Sequence, residues 1–392
     1  MSDRISELPD HLLCKILCYL PNTKQAATTF FLSKRWKSVW LQLTSLYLDD
    51  EDYINHIVTP VRRNFKTNYY SRFAQFVNGV LSVNQPSIQR FRLRCVVTHP
   101  RPSHFTTWLN TALQGNLQEL DISLSCGRGT LPTHVFTCTN LVVLKLRGIT
   151  IQDEIDSVCL PSLRILCLKC VEFSSEYCLV KLLSPSSSTL ENLLLSNVCN
   201  GPSYSYRGHY VLQLVEYWMC DAGKKGVVIC LRGVELILDH VLAGNPTFHN
   251  LITLDISFLA TLKWNDVMHV IQNSPKLQNL LIQKKYKLLG GEVDSWDEPQ
   301  DNVPGCVSSH LRTCCLQNHV PGESDSHRHL VSLLPFAKYI IENAGFLQIM
   351  TICVPTPTQR IRQWMNQELS SCPRKSPTCK INLQPHKYLS PD

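Results

Sequence analysis

One six-residue pattern recurs through the middle of the chain and limits its fold more than any other feature. Apolar residues hold the first, fourth and sixth places in Ile88-Gln-Arg-Phe91-Arg-Leu93, Leu117-Gln-Glu-Leu120-Asp-Ile122, Leu141-Val-Val-Leu144-Lys-Leu146, Leu163-Arg-Ile-Leu166-Cys-Leu168 and Leu190-Glu-Asn-Leu193-Leu-Leu195. A looser copy, Leu231-Arg-Gly-Val234-Glu-Leu236, precedes Leu251-Ile-Thr-Leu254-Asp-Ile256 and Leu277-Gln-Asn-Leu280-Leu-Ile282. Successive copies begin 29, 24, 22, 27, 41, 20 and 26 residues apart. The alternation at the end of each copy puts one face of a short strand into a core and the other face outside. No single unit of this length can bury its apolar face, so the copies must stack on one another.

Apart from the 41-residue interval, these spacings fit or nearly fit the period of leucine-rich repeats, roughly 20–29 residues. The pattern predicts an α/β solenoid over 88–290 with a parallel sheet on its concave side. The polar ladder position, three residues past the last leucine of the motif, holds Ile149, Val171, Val198 and Leu259, which predicts irregular repeats. Alternation leaves Arg90, Arg92 and Arg94 on the open face, then Glu119, Asp121 and Ser123, then Val143, Lys145 and Arg147. Arg90, Arg92, Arg94, Glu119, Asp121, Lys145 and Arg147 are therefore the candidate target-binding residues. The arginine row suits an acidic or phosphorylated segment, because guanidinium forks match such oxygens. The competing reading is an edge strand whose charges block unwanted pairing.

Charge is uneven along the chain. Residues 54–118 carry eight Arg or Lys and no Asp or Glu, whereas the rest holds thirty basic and thirty-one acidic groups, so this stretch accounts for the net +7. Such a region attracts acidic partners, or is a solvated surface without a role.

The first fifty residues read as three short helices. Leu8, Leu12, Leu13, Ile16, Leu17 and Leu20 form a broad apolar stripe that Pro9 can start and Pro21 ends. A second helix is predicted over about Lys24–Phe31, and Trp36, Val39, Trp40 and Leu43 supply the apolar side of a third. So small a unit cannot cover its own apolar surface, so a partner surface is expected to finish its core.

The run Asp3-Arg4-Ile5-Ser6-x-Leu8-Pro9-x-x-Leu12-Leu13-x-x-Ile16-Leu17-x-x-Leu20-Pro21, then Lys24-x-Ala26, then Leu32-Ser33-Lys34-Arg35-Trp36-x-x-x-Trp40, resembles the F-box of plant F-box proteins. Asn22 is an extra residue relative to that pattern. The resemblance implies docking on a Skp-type adaptor, and through it on the cullin and RING subunits of an SCF ubiquitin ligase. It implies Leu8, Pro9, Leu12, Ile16, Leu17, Leu20, Leu32, Ser33, Trp36 and Trp40 as the adaptor contact. For Leu13, Trp36 and Trp40 the alternative is packing inside the helical unit itself.

Past an acidic stretch around Glu292–Asp301, the chain predicts a helix containing Phe336, Tyr339, Ile340 and Ile341, with Pro335 in its first turn and Gly345 at its end. Met350–Val354 reads as a buried strand and Cys379–Ile381 as a closing one. With Ser371-Cys372-Pro373-Arg374, this segment resembles the FBD domain of the same plant proteins. The expected order is F-box 1–48, basic connecting segment 49–87, leucine-rich repeats 88–290, acidic linker 291–302, FBD 303–384 as a small α+β cap, and a tail 385–392.

Catalytic and cofactor signatures are missing. There is no Gly-x-x-x-x-Gly-Lys loop, Gly-x-Ser-x-Gly elbow or His-Glu-x-x-His pair, and Cys167-x-x-Cys170 has no second cysteine pair at a zinc-binding interval. No cofactor or metal is expected. The opening residues lack a signal-peptide pattern and no window suits a membrane span, so the eighteen cysteines read as reduced thiols in the cytoplasm or nucleus. The expected function is a non-catalytic receptor that brings an unknown protein substrate to the ligase. The alternative is a binding module for protein or nucleic acid outside any ligase, with nucleic acid disfavoured because no recognisable module or aromatic-lined groove accompanies the basic residues.

Overall fold

The computed structural model describes residues 5, 7–53, 63–83, 88–98, 100–125, 129–151, 155, 157–174, 176–186, 188–196, 199–200, 215–217, 226–228, 247–259, 264–285, 296, 303–319, 326–354 and 359–385. The chain divides into two compact units, Met1–Glu172 and Phe173–Asp392.

The first unit opens with α1 (Asp10–Cys18), α2 (Thr23–Thr28) and α3 (Lys34–Trp40), followed by β1 (Ser45–Asp49), a 3-10 turn over Asp50–Tyr53, and α4 (Arg63–Val83). Then come β2 (Arg90–Cys95), α5 (Pro102–Leu113), β3 (Glu119–Leu124), β4 (Val143–Arg147) and β5 (Ile165–Lys169). These strands pair in parallel and in chain order, β1 to β5. Their register stacks the repeat leucines into two rows. Leu46, Phe91, Leu120, Leu144 and Leu166 form one, and Leu48, Leu93, Ile122, Leu146 and Leu168 the other, all almost completely buried. Each such side chain contributes about 1.5–3 kcal/mol by leaving water, so the rows outweigh any single strand's weak intrinsic preference.

A second repeating feature fixes the start of each strand. The carbonyl of Thr44 accepts from the N–H groups of Gln89 and Arg90, that of Gln89 from Gln118 and Glu119, that of Gln118 from Val142 and Val143, and that of Val142 from Arg164 and Ile165. The expected polar ladder position is apolar and sealed, with Ile149 and Val171 fully buried. Val198 and the side chain of Leu259 lie outside the described residues.

Two expectations change here. The segment 49–87 is no mere connection, because α4 packs Phe73, Val77 and Leu81 inward and meets α5, where Trp108 donates through Nε1 to Asn78 Oδ1 at 2.6 Å. Nor is the arginine strand an edge, since β1 pairs along its whole length. Leu43-Thr44-Ser45-Leu46-Tyr47-Leu48 carries the same six-residue pattern with all three leucines buried, so this strand is a further repeat copy whose first leucine also reads as part of the third helix.

The second unit runs through α6 (Glu176–Ser186), β6 (Asn192–Ser196), β7 (Thr253–Leu259), α7 (Trp264–Gln272), β8 (Asn279–Lys285), α8 (Gly305–Ser309), β9 (Thr313–His319), α9 (Ser326–Asn343), β10 (Ile349–Val354), α10 (Gln359–Ser370) and β11 (Lys380–Pro385). Strands β6 to β11 are again parallel and in chain order. The 41-residue interval contains an antiparallel pairing of Val215–Tyr217 with Gly226–Val228, while the Leu231 motif lies outside the described residues.

The C-terminal region departs from the expected α+β cap. Strands β9, β10 and β11 extend the same sheet as β6 to β8, and the carbonyls of Glu191, Ile252, Gln278 and Arg312 each accept two consecutive N–H groups as in the first unit. The motif persists as Leu311-x-x-Cys314-x-Leu316 and Leu347-x-x-Met350-x-Ile352, with Cys314 and Met350 buried in leucine positions. Pro335 sits inside α9 rather than in its first turn. Of the acidic stretch 291–302 only Trp296 is described, and its ring packs against Trp264, Phe336 and Tyr339.

Candidate functional site

The helices α1 to α3 carry the first candidate surface, and their geometry follows from two interleaved stripes. Leu13 and Leu17, four residues apart, point inward and are buried with Ala26, Trp36, Val39, Trp40 and Leu43. Leu12, Ile16 and Tyr19, spaced i, i+4 and i+7, lie on one face of α1 and are exposed. The ends are held by capping. Asn22 Oδ1 accepts from Gln25 N at 2.8 Å and Ser33 Oγ from Trp36 N at 3.3 Å, so each short helix satisfies one of its free N–H groups. Arg35 joins α3 to the start of α1 through Asp10 at 2.8 Å and the Leu8 carbonyl. The extra residue Asn22 thus has two tasks, since its side-chain amide also donates to Asp52 at 2.9 Å.

The ten residues proposed from the sequence for the adaptor contact separate into three groups. Pro9, Leu12, Ile16, Leu32 and Ser33 are exposed, and Leu8 and Leu20 are half-buried. Leu17, Trp36 and Trp40 are 3%, 8% and 5% exposed, so they support the helices from inside instead of meeting solvent. Sequence reasoning passes over Tyr19 and Phe31, each 86% exposed, as well as Ile5 at 55%. Tyr19 is recoverable from spacing alone, being seven residues after Leu12 and three after Ile16. Six of the nine exposed large apolar or aromatic side chains among the described residues fall between Ile5 and Leu32.

The second candidate surface is the open face of β1 to β5. Register places Tyr47, Arg92, Asp121, Lys145 and Cys167 in one row, and Asp49, Arg94, Ser123, Arg147 and Lys169 in the next. Arg92 Nε meets Asp121 Oδ2 at 2.7 Å and its guanidinium lies 5.0 Å from the Tyr47 ring centre. Arg94 meets both Asp49 and Glu51 at 3.3 Å. Burial and the neighbouring Asp49 push the Tyr47 phenol above its ordinary range. Arg90 has no ion-pair partner among the described residues, while Glu119 stands opposite it in register. The candidates Lys145 and Arg147 lie together on β4, two strands away from the arginine row.

Among the described residues, no group of three or more His, Cys, Asp or Glu is placed to hold a metal ion. Cys167 lies on β5, and Cys170 follows with a positive φ of 51°; both are reduced thiols. No helix among the described residues is long and apolar enough to cross a membrane.

Comparison with known proteins reaches the repeats and the C-terminal region through family models, and nearly the whole chain through relatives. The family model described as "FBD-associated F-box protein At5g56370, LRR repeats" matches residues 105–238, and the FBD model matches 298–352. The putative F-box/FBD/LRR-repeat protein At5g22610 of Arabidopsis thaliana is 31% identical over 98% of this chain and 90% of its own length. The chain belongs to the F-box/FBD/LRR-repeat family. The F-box/FBD/LRR-repeat protein At5g56420 of Arabidopsis thaliana is 25% identical over 97% of this chain and 98% of its own, and the putative FBD-associated F-box protein At3g50710 of the same plant is 26% identical over 97% and 100%. This family member keeps its repeat leucines as the buried rows described above, and it carries the FBD match on α8, β9 and α9.

Proposed function

We infer that this protein is the substrate-recognition subunit of an SCF-type cullin–RING ubiquitin ligase. In this reading α1 to α3 form the F-box and dock on a Skp-type adaptor, the parallel strands belong to a leucine-rich-repeat solenoid that receives the protein target, and the chain itself does no chemistry. Such a receptor acts in the cytoplasm or nucleus.

The observation that carries the reading is the outward stripe of Leu12, Ile16 and Tyr19 beside exposed Phe31 and Leu32, on a helix whose other stripe is already buried. An apolar helix face with anchors at i, i+4 and i+7 is the form that lies in a partner's groove. Full burial of one such aromatic or aliphatic side chain contributes about 1.5–3 kcal/mol, so a few anchors suffice for stable association.

Co-expression of the full chain with a plant Skp-type adaptor, followed by size-exclusion chromatography, tests it. The wild-type chain should elute with the adaptor, and the double substitution Leu12→Asp, Ile16→Asp should elute alone with an unchanged circular-dichroism spectrum, because both side chains already face water. Adaptor binding that survives the double substitution, or a wild-type chain that never binds, would overturn the reading.

A further inference from the structure

The positive charge of the arginine strand is largely neutralised within the protein. Arg92 is held by Asp121 and Tyr47, Arg94 by Asp49 and Glu51, and Arg90 faces Glu119. Two strands further on the balance reverses. Lys145, Arg147 and Lys169 are half-buried on the open face, and none has a side-chain partner among the described residues. Arg147 and Lys169 are register partners on β4 and β5, and Lys145 stands two residues before Arg147 on the same strand. Adjacent strands are about 4.8 Å apart and alternate residues on one strand about 6.8 Å apart, so the three cations form a small triangle. Arg147 has Ser123 beside it on β3, while Lys145 stands between Cys167 and Asp121, whose carboxylate is already held by Arg92.

We propose that this triangle, and not the arginine strand, receives the target, and that what it receives is an extended acidic segment of a protein with carboxylates at alternate positions. This rests on the receptor reading above and names the substrate class. The match is geometric as well as electrostatic, because alternate side chains of an extended segment repeat at the same spacing as Lys145 and Arg147. A nucleic acid fits less well. The open face of β3 to β5 carries no aromatic side chain for base stacking.

The test uses the full chain co-expressed with the adaptor and a fluorescein-labelled decapeptide of alternating glutamate and threonine, read by fluorescence anisotropy. The peptide should bind about tenfold more tightly than its glutamine counterpart and weaken as salt rises, and the triple variant Lys145→Gln, Arg147→Gln, Lys169→Gln should remove that advantage. A charge-matched control on α10 and after it, Arg360→Gln, Arg362→Gln, Lys375→Gln, should change affinity less than about twofold. Equal loss in the control, or no loss in the triple variant, overturns the proposal. So does tighter binding of single-stranded RNA that depends on the same three residues. Adaptor co-elution is recorded on every sample. Peptide failure with the adaptor retained sinks this inference alone, while peptide binding without the adaptor sinks the receptor reading and leaves the acidic-segment surface standing.

Discussion

Asp50 is the polar residue on which the junction between the helices and the first strands most depends. It is 1% exposed, and its carboxylate accepts from Val96 N at 3.0 Å, Val97 N at 3.1 Å, Thr98 N at 2.6 Å and Thr98 Oγ1 at 2.8 Å, so it clamps the turn after β1 to the segment after β2. Asp50→Ala leaves those donors without an acceptor. Thr98 is buried, so its N–H and hydroxyl bear the full penalty, while Val96 and Val97 are half-buried and can turn to water. At about 1–3 kcal/mol for each of these two sealed donors, the loss comes to about 2–6 kcal/mol. Thr98→Val removes one donor together with its bond and should cost no more than about 1 kcal/mol. Hydrogen exchange read by mass spectrometry on peptides spanning 90–98 measures the local opening free energy without requiring both units to unfold together. An Asp50→Ala protein within about 0.5 kcal/mol of wild type, the scatter of ordinary surface substitutions, would refute this account of the clamp.

The same carboxyl sets a pH dependence whose sign is fixed. Burial pushes the Asp50 pKa above its ordinary value, with Asp49 adding to the rise and the hydrogen bonds from Thr98 and Val96 opposing it. The folded state therefore favours the protonated form. Its contribution is fully present below the unfolded value, about 3.9, and is lost as pH rises through the higher folded value. Asp50→Asn should flatten the decline in local stability over that window, and an unchanged slope would contradict the assignment.

Two further outcomes follow from backbone geometry and capping. Gly148 has a φ of +66°, and an added Cβ would lie 2.2 Å from the Leu124 carbonyl oxygen, so Gly148→Ala should cost more than the roughly 1–2 kcal/mol of a left-handed conformation alone, measured by chemical denaturation of the full chain. Asn22→Ala should cost about 1 kcal/mol through loss of the α2 cap, with faster exchange confined to residues 23–28, whereas Asn22→Asp should keep the cap but replace the donation to Asp52 with repulsion between two carboxylates.

The spacing of the leucines by itself settles the parallel arrangement, because a period of two inside a period of 20–29 leaves each strand only its neighbouring copies to pack against. Residues 1–43 likewise announce three helices with more apolar surface than they can bury. What those patterns cannot assign is direction. Leu17 and Ile16 are adjacent in an apolar stripe, yet one is interior and the other faces out, because the turn at Asn22 and the packing of Trp36 and Trp40 decide which side of α1 is covered. The continuation of the sheet through β9, β10 and β11 is hidden for a related reason. Burial rewards volume and apolarity, which Cys314 and Met350 supply as well as leucine, so the fold persists where the motif fades. The availability of charge is the most strictly tertiary property of all. Three arginines in a row look like an open invitation to an anion, but Asp49, Glu51 and Asp121, brought beside them by strand register, answer two of them internally and leave Lys145, Arg147 and Lys169 open to a partner.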